Sequence, residues 1–154
     1  MRIREAAEAD AGLLLELVGE LAAHHGQAAF VATDAERLAA AIVAGRAAFL
    51  IAEANGDALG YLSWTRAYSI WSGGDYLNLD DLFVRAVARD RGVGRALMAR
   101  FAAVAEAEGL RARWELQADN HDAARFYERL GAELQGKLIA RWGGPALAAA
   151  AARG

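Results

Sequence analysis

The chain has 154 residues, 56% of them apolar and 24% charged, which is the size of one domain able to bury a sizeable core. Its formal net charge of −3 argues against general nucleic-acid binding, which needs a clustered basic surface. The absence of cysteine excludes disulfides, thiolate nucleophiles and thiolate metal sites, and three histidines make a poor metal set, so we expect no metal cofactor.

The N-terminus lacks the apolar core of a signal peptide, and no apolar run reaches the roughly 18 residues that span a bilayer. We therefore expect a cytoplasmic protein without membrane association. Residues 1–6 suit an edge strand. A helix then follows, because apolar residues recur at helical spacing, namely Leu14, Leu17, Val18 and Leu21. Thr33 and Glu36 predict the capping box of a second helix that ends at Gly45.

A hairpin is predicted next. Residues 47–54 and 58–64 read as strands, and the Asn-Gly-Asp turn between them tolerates the positive φ of a tight hairpin. A polar loop over 66–75 and a longer strand over 76–84 should follow. The hairpin predicts antiparallel pairing.

The second half alternates strands and helices. Apolar spacing predicts a helix from Val93 that ends near Gly109, and 111–118 reads as a strand. Asn120 should cap another helix, which Gly131 ends.

A last strand is predicted within 132–142, before glycines and a proline break the pattern. We assign 1–143 to one domain and 144–154 to an alanine-rich tail, either frayed or a short helix.

A basic, glycine-containing turn precedes the helix at Val93. Gly92 and Gly94 would let an anion approach the backbone N–H groups at the helix start, and Arg89, Arg91 and Arg95 would add charge. The pattern therefore predicts a phosphate cradle, although a solvated helix start fits the same residues.

Two familiar phosphate motifs fail here. The Walker loop needs Gly-Lys-Ser or Gly-Lys-Thr, which the chain lacks. The dinucleotide fingerprint needs a small residue where Leu97 stands, and its ribose-binding acid would be Glu115, inside a predicted strand. A nucleotide-binding domain is thus disfavoured.

An acidic pair, Asp80 and Asp81, lies within the strand predicted over 76–84. Strand alternation predicts opposite faces for the two carboxylates unless a bulge intervenes. Asp81 would share its face with Leu77, Leu79 and Phe83, and Asp80 with Tyr76, Asn78, Leu82 and Val84. A carboxylate among apolar neighbours has a raised pKa, which suits a base, but a pair at the solvated end of a strand needs no function.

Two motifs together carry a family resemblance. Arg89-x-x-Gly92-x-Gly94 resembles the acetyl-CoA pyrophosphate loop of the GCN5-related N-acetyltransferase (GNAT) family. Asn120, followed at helical spacing by Phe126-Tyr127 and then by Gly131, resembles the family's later motif. The resemblance implies an α/β fold, the GNAT acyl-CoA N-acyltransferase fold, with a mixed, mostly antiparallel sheet flanked by helices.

The resemblance also implies acetyl-CoA as co-substrate and direct attack by an amine in a ternary complex. It makes Tyr127 the general acid, although helical spacing also suits a core aromatic, and makes Asp80 and Asp81 the proton acceptors and amine ligands. Trp71 would wall the amine pocket, where an ordinary loop anchor is the alternative. Residues implied to bind acetyl-CoA are Leu82, Phe83, Val84, Arg89, Arg91, Gly92, Val93, Gly94, Arg95, Asn120, Phe126 and Tyr127.

Within the family, the segment from 69 to 84 resembles the diamine and polyamine acetyltransferases, which implies a small amine substrate and a homodimer. An N-acetyltransferase acting on proteins or amino acids, and an acyl-CoA-binding regulatory module without turnover, remain alternatives.

Overall fold

The structure is a computed structural model that describes residues 1–153. Their contacts divide into two compact units, one spanning Met1–Glu115 and a second that begins at Leu116. None of the helices in the described part of the chain is long and apolar enough to cross a lipid bilayer.

The first unit is built on one five-stranded sheet whose strands follow the chain order. The strands are β1 (Arg2–Glu5), β2 (Ala48–Ala54), β3 (Asp57–Ser69), β4 (Gly74–Val84) and β5 (Arg111–Arg113). The first four pair antiparallel, and β5 pairs parallel to β4. The prediction of a mixed, mostly antiparallel sheet with an N-terminal edge strand is confirmed.

Helices cover both faces of this sheet. They are α1 (Ala11–His24), α2 (Ala35–Val43) and α3 (Val93–Ala107). On one face, Leu14 and Leu17 of α1 are completely buried and join a core cluster with Tyr61 of β3. On the other face, the ring of Phe101 in α3 lies 5.5 Å from that of Trp64 in β3. The apolar spacing that predicted α1 and α3 therefore marks their buried sides.

The hairpin between β2 and β3 forms as predicted. Asn55 and Gly56 have φ values of 54° and 89°, as a turn of the primed type requires. Strand β3 is longer than expected, however, and the predicted loop over 66–75 contracts to residues 70–73. Pairing of Ser69 with Gly74 explains the difference, because polar residues also extend a strand when a partner completes the ladder.

The predicted cap of α2 is wrong by one residue. Asp34, rather than Thr33, precedes the helix, and its Oδ1 accepts from the backbone N–H of Arg37 at 2.8 Å. A carboxylate in the N-cap position reaches the third helical N–H group, whereas Thr33 stands one residue too early. The helix is followed by Gly45 at φ +63°, as expected.

Strand β5 is also shorter than the predicted 111–118, because its pairing with β4 ends at Arg113. In the second unit, α4 (His121–Arg129) begins as predicted, since the Asn120 side chain accepts from Ala123 N at 3.0 Å. Gly131 follows it at φ +89°.

The strand predicted within 132–142 does not form in the structure. A segment with apolar residues becomes a strand only where a neighbouring strand supplies the ladder, and among residues 1–153 no strand pairs with this one. Helix α5 (Gly144–Ala151) begins with Pro145 in its first turn, where the sequence predicts the tail. The division into a domain and a tail stays a prediction.

Candidate active site

A β-bulge interrupts the pairing of β3 with β4 at the acidic pair. Trp64 lies opposite Leu79 and Ser63 lies opposite Asp81, so Asp80 is the extra residue on β4. The bulge exchanges the two faces of the strand beyond this point. The prediction that Asp80 and Asp81 point to opposite faces of β4 is therefore wrong.

Asp81 shares its face with Asn78 rather than with Leu79, because partners in the ladder, such as Ser63 and Asp81, point to the same side. Asp80 also lies on this face, since its Oδ1 accepts from the side-chain amide of Asn78 at 2.6 Å. Both carboxylates consequently lie on one side of the sheet.

Asp81 is held by two hydroxyl groups from β3. The Tyr61 hydroxyl donates to Oδ2 of Asp81 at 3.1 Å, and the Ser63 hydroxyl lies 3.4 Å from the same oxygen. The backbone N–H of Asp81 in turn donates to Ser63 Oγ at 3.1 Å. The side chain of Ser63 thus replaces the carbonyl partner that the bulge withdraws from the ladder.

Burial raises the pKa of Asp81, and the hydrogen bonds from Tyr61 and Ser63 and the charge of His25 oppose that rise. Removal from water also raises the pKa of Asp80, and the charge of Asp81 adds to this shift. Burial likewise raises the pKa of Tyr61, whose hydroxyl therefore stays protonated. Two carboxylates with raised pKa values on one face of a strand are suited to proton transfer.

A recess of about 210 Å³ opens beside the pair. Asn78, Leu79, Asp80 and Glu115 line it. It begins where the β4–β5 ladder stops, at the pairing of Asn78 with Arg113. The lining therefore combines one amide and two carboxylates, a set that accepts a cation.

Beyond Asn78, β4 continues to Val84 without a partner on the β5 side in the described structure. Peptide groups alternate in direction along a strand. The carbonyl of Phe83 faces Gly60 of β3, since a Cβ on that glycine would lie 2.2 Å from it. The peptide groups of Leu82 and Val84 consequently point to the open edge, where an extended ligand finds donors and acceptors.

The basic glycine turn leads into α3. Gly92 adopts the left-handed conformation at φ +77° immediately before the helix, and no side chain caps the first turn. Arg91 and Arg95 are exposed and form no ion pair or hydrogen bond within residues 1–153. Arg89 donates to the carbonyl of Val84 at 3.1 Å. Helix N–H groups and unpaired arginines together suit a phosphate group.

Two other arginines near this turn in the chain, Arg85 and Arg100, have structural partners. Arg85 donates to both oxygens of Glu20, at 3.0 and 3.1 Å, and also bonds to Glu16. Arg100 donates to Glu5 at 2.9 Å. The positive charge left for a ligand therefore belongs to the arginines at 89, 91 and 95.

The remaining residues predicted to bind acetyl-CoA lie in α3 and in the second unit. Val93 and Gly94 form the first turn of α3, where the Val93 side chain is buried. Within the second unit, Asn120 caps α4, Tyr127 is buried, and the rings of Phe126 and Tyr127 lie 5.2 Å apart.

Trp71 lies fully exposed in the turn between β3 and β4. The strand from Gly74 to Asp80 spans roughly 20 Å at the ordinary rise per residue. The structure therefore does not bring Trp71 next to the acidic pair, and its role in amine binding stays a prediction.

The family model described as "Acetyltransferase (GNAT) family" matches residues 13–132. A thialysine N-epsilon-acetyltransferase from Caenorhabditis elegans is 32% identical over 120 residues, which are 75% of this chain and 72% of that protein. The chain belongs to the GNAT family. It is accordingly an N-acetyltransferase that uses acetyl-CoA as its co-substrate.

Solved structures support the GNAT fold. An aminoglycoside acetyltransferase from an uncultured soil metagenomic sample aligns with a TM-score of 0.80 at 17% identity, covering 93% of this chain and 95% of that one. A ribosomal-protein-alanine N-acetyltransferase from Brucella melitensis biovar Abortus 2308 aligns with a TM-score of 0.74 at 18% identity, covering 92% and 100%. At these identities the likeness concerns the fold.

Sequence reasoning about this GNAT protein missed Tyr61 and Ser63. Their signal was two hydroxyl side chains in alternate positions of an otherwise apolar strand, which places both on one buried face. It also missed Asn78 and Glu115 as lining residues. Among residues 1–153, no group of three or more side chains is arranged to hold a metal ion.

Proposed function

We propose that this acetyltransferase transfers the acetyl group of acetyl-CoA to a primary amine of a small diamine or polyamine, by direct attack in a ternary complex. The single observation that carries the proposal is the bulge at Asp80, which gathers two carboxylates on one face of β4, one of which, Asp80, lines the recess. Ammonium groups are bound by such negative charge, and a second ammonium on the same substrate finds Glu115 nearby.

The attacking amine must first lose a proton, because an ammonium nitrogen has no free electron pair. We assign this step to Asp80, since it lines the recess and its pKa is raised. The proton passes to a carboxylate oxygen, directly or through a water molecule. Asp81 supplies the fixed negative charge that holds the cationic substrate.

The neutral nitrogen then attacks the thioester carbonyl carbon. The new C–N bond forms as the C–S bond breaks, and the thiolate of CoA leaves. We propose that the outward peptide groups of Leu82 and Val84 bind the extended arm of acetyl-CoA and its thioester oxygen. The turn at Gly92, the first turn of α3, Arg89, Arg91 and Arg95 would bind its phosphates.

The leaving thiolate takes up a proton. The family resemblance assigns this step to Tyr127, and with it the contribution of Asn120 and Phe126 to acetyl-CoA binding. Because the chain has no cysteine, a cysteinyl acyl-enzyme intermediate is excluded and direct transfer is the natural course.

The names of the related proteins support an amine as the acetyl acceptor, but these acceptors differ in size. One is named for the ε-amine of thialysine, another for aminoglycosides and a third for the alanine of a ribosomal protein. The first of these has the highest identity and favours a small amine. Acetylation of a protein amine is the competing outcome.

The test is thiol release from acetyl-CoA with a panel of amines: putrescine, spermidine, thialysine, lysine, an aminoglycoside and a peptide with N-terminal alanine. We expect the highest kcat/KM with a diamine or polyamine, and a loss of kcat in Asp80→Asn. A preference for the peptide would contradict the small-amine proposal. The resemblance further implies a homodimer, which light scattering in solution tests.

A further inference from the structure

Two buried hydroxyl groups on β3, those of Tyr61 and Ser63, contact the carboxylate of Asp81. Tyr61 is completely buried and Ser63 is 4% exposed, on the face of β3 that meets the apolar core cluster. A hydroxyl in such surroundings must find a partner, because an unpaired polar group is costly there. Both hydroxyls bond to Oδ2 of Asp81.

The arrangement holds Asp81 at two points. Ser63 Oγ accepts the backbone N–H that the bulge leaves without a carbonyl, and it also lies within hydrogen-bonding distance of the carboxylate. Tyr61 is fixed by its ring, which packs 6.2 Å from the ring of Phe83. Since both donors engage Oδ2, the other oxygen, Oδ1, is not engaged by either hydroxyl.

We propose that Tyr61 and Ser63 are positioning residues, which hold the Asp81 carboxylate ionised and oriented so that Oδ1 binds the ammonium group of the substrate. The inference rests on the proposed function and extends it to residues that do not touch the substrate. Two other titratable groups belong to these surroundings: the charge of His25, immediately after α1, lowers the pKa of Asp81, and the charge of Asp81 raises the pKa of Asp80 on the same strand.

The direction of the expected effect follows from the hydrogen bonds. A bond donated to a carboxylate stabilises its ionised form and lowers its pKa, so that removing the donor raises the pKa of Asp81. As pH is lowered, the Asp81 carboxylate of the variant then becomes protonated at a higher pH than that of the parent enzyme. Amine binding should weaken, while acetyl-CoA binding and the chemical step change little.

Tyr61→Phe tests the proposal, because it removes the hydroxyl and keeps the ring in the core. We expect the KM for the best amine to rise about tenfold, as for one hydrogen bond to a charged group. The KM for acetyl-CoA and kcat should stay within about twofold. In the parent enzyme the KM for the amine should rise when pH falls below the pKa of Asp81. In Tyr61→Phe this rise should begin at a higher pH. Tyr68→Phe is the matched control, since Tyr68 lies on the same strand and is 64% exposed.

Ser63→Ala is the second variant and should also raise the KM for the amine, so that the test does not depend on the folding of Tyr61→Phe alone. The Tm of both variants is measured to detect any folding defect. A Tyr61→Phe enzyme whose amine KM and pH profile match those of Tyr68→Phe would overturn the proposal.

A third measurement separates this inference from the proposed function. Carbon NMR of the Asp81 carboxyl follows its titration without any substrate. A raised pKa in Tyr61→Phe supports the positioning role, and an unchanged one overturns it, whatever the amine panel shows. Failure of every small amine in the panel would instead contradict the proposed function.

Discussion

The carboxylates of Asp80 and Asp81 lie on the same face of β4 although the two residues are consecutive in the chain. In a regular strand consecutive side chains point to opposite faces, and the bulge at Asp80 removes that alternation. The two carboxylates are consequently close enough for the charge of Asp81 to raise the pKa of Asp80. Two like charges share one side of the sheet, and an ammonium group is the natural counter-ion.

Holding Asp80 in this position should cost stability at neutral pH. Its pKa is raised above the ordinary value of 3.8, so the folded state disfavours the ionised form. The penalty is absent well below pH 3.8, grows as pH rises from 3.8 towards the higher pKa of the folded state, and is complete above that pKa. Asp80→Asn should therefore raise Tm at pH 7, and the gain should shrink towards pH 3. A Tm gain that is equal at both pH values would contradict this account.

The unpaired arginines before and within α3 should serve acetyl-CoA. Arg91→Ala and Arg95→Ala are each expected to raise the KM for acetyl-CoA about tenfold, the loss of one charge-assisted hydrogen bond. The effect should diminish with added salt, because exposed charges are screened. Arg46→Ala, at an exposed arginine after α2, is the control. Unchanged KM values in both variants would count against the phosphate cradle.

Tyr127 should act on the leaving group. Tyr127→Phe is expected to lower kcat about 100-fold, the lower end of the contribution of a positioned acid, with the KM for acetyl-CoA within about twofold. Steady-state kinetics with acetyl-CoA and the best amine measure both constants. The ring stays in place, so packing should be preserved. Turnover equal to that of the parent enzyme would remove Tyr127 from the acid role.

Replacing Gly60 should destabilise the fold, because the backbone of Phe83 on β4 lies directly against it. A Cβ at this position would lie 2.2 Å from the carbonyl oxygen of Phe83, so Gly60→Ala must displace β4 near its open edge. We expect a loss of about 3 kcal/mol in the free energy of unfolding, measured in urea.

Gly19→Ala is the matched control for that variant. Gly19 lies inside α1, and a Cβ there meets nothing within 4 Å. Alanine should therefore stabilise the fold by about 0.5 to 1 kcal/mol through its higher helix propensity. Equal effects of the two substitutions would show that the contact with Phe83 does not matter.

The Arg4–Asp10 pair should dominate acid sensitivity near the N-terminus. Asp10 accepts from Arg4 at 2.7 and 2.8 Å and from Ala7 N at 2.8 Å. The Arg4 hydrogen bonds lower the pKa of Asp10 below 3.8, so its stabilisation is full above that value and is lost as pH falls through the folded-state pKa.

Asp10→Asn should consequently cost about 2 kcal/mol at pH 7, the range of a hydrogen bond to a charged group. The difference from the parent protein should diminish towards pH 2. Urea unfolding at several pH values measures it. A constant difference across that range would mean that the charge of Asp10 contributes nothing.

Much of the architecture could be predicted because its causes are local. Helical spacing placed Leu14 and Leu17 in the core, and Asn55-Gly56 specified the first hairpin through φ values that few residues tolerate. The glycine turn before α3 and the start of α4 at Asn120 could be predicted because a positive φ and helix capping favour particular residue types at fixed positions. These features depend on neighbours a few residues apart.

The sheet ladders, by contrast, were decided by tertiary structure. Residues 132–142 include several apolar side chains but have no partner strand in the described part of the chain. The polar residues up to Ser69, by contrast, became a strand because Gly74 and the following residues pair with them. Whether a segment extends depends on hydrogen bonds to a strand that lies elsewhere in the chain.

The acidic pair shows both contributions. The amino-acid sequence by itself determined that two consecutive carboxylates precede a motif that resembles the acetyl-CoA loop of the family, and hence the kind of chemistry that we expect. Only the register between β3 and β4 decided that Asp80 is the extra residue and that Tyr61 and Ser63 meet Asp81. The physical reason is that a bulge arises from the mismatch of two strands, a property that neither strand carries alone.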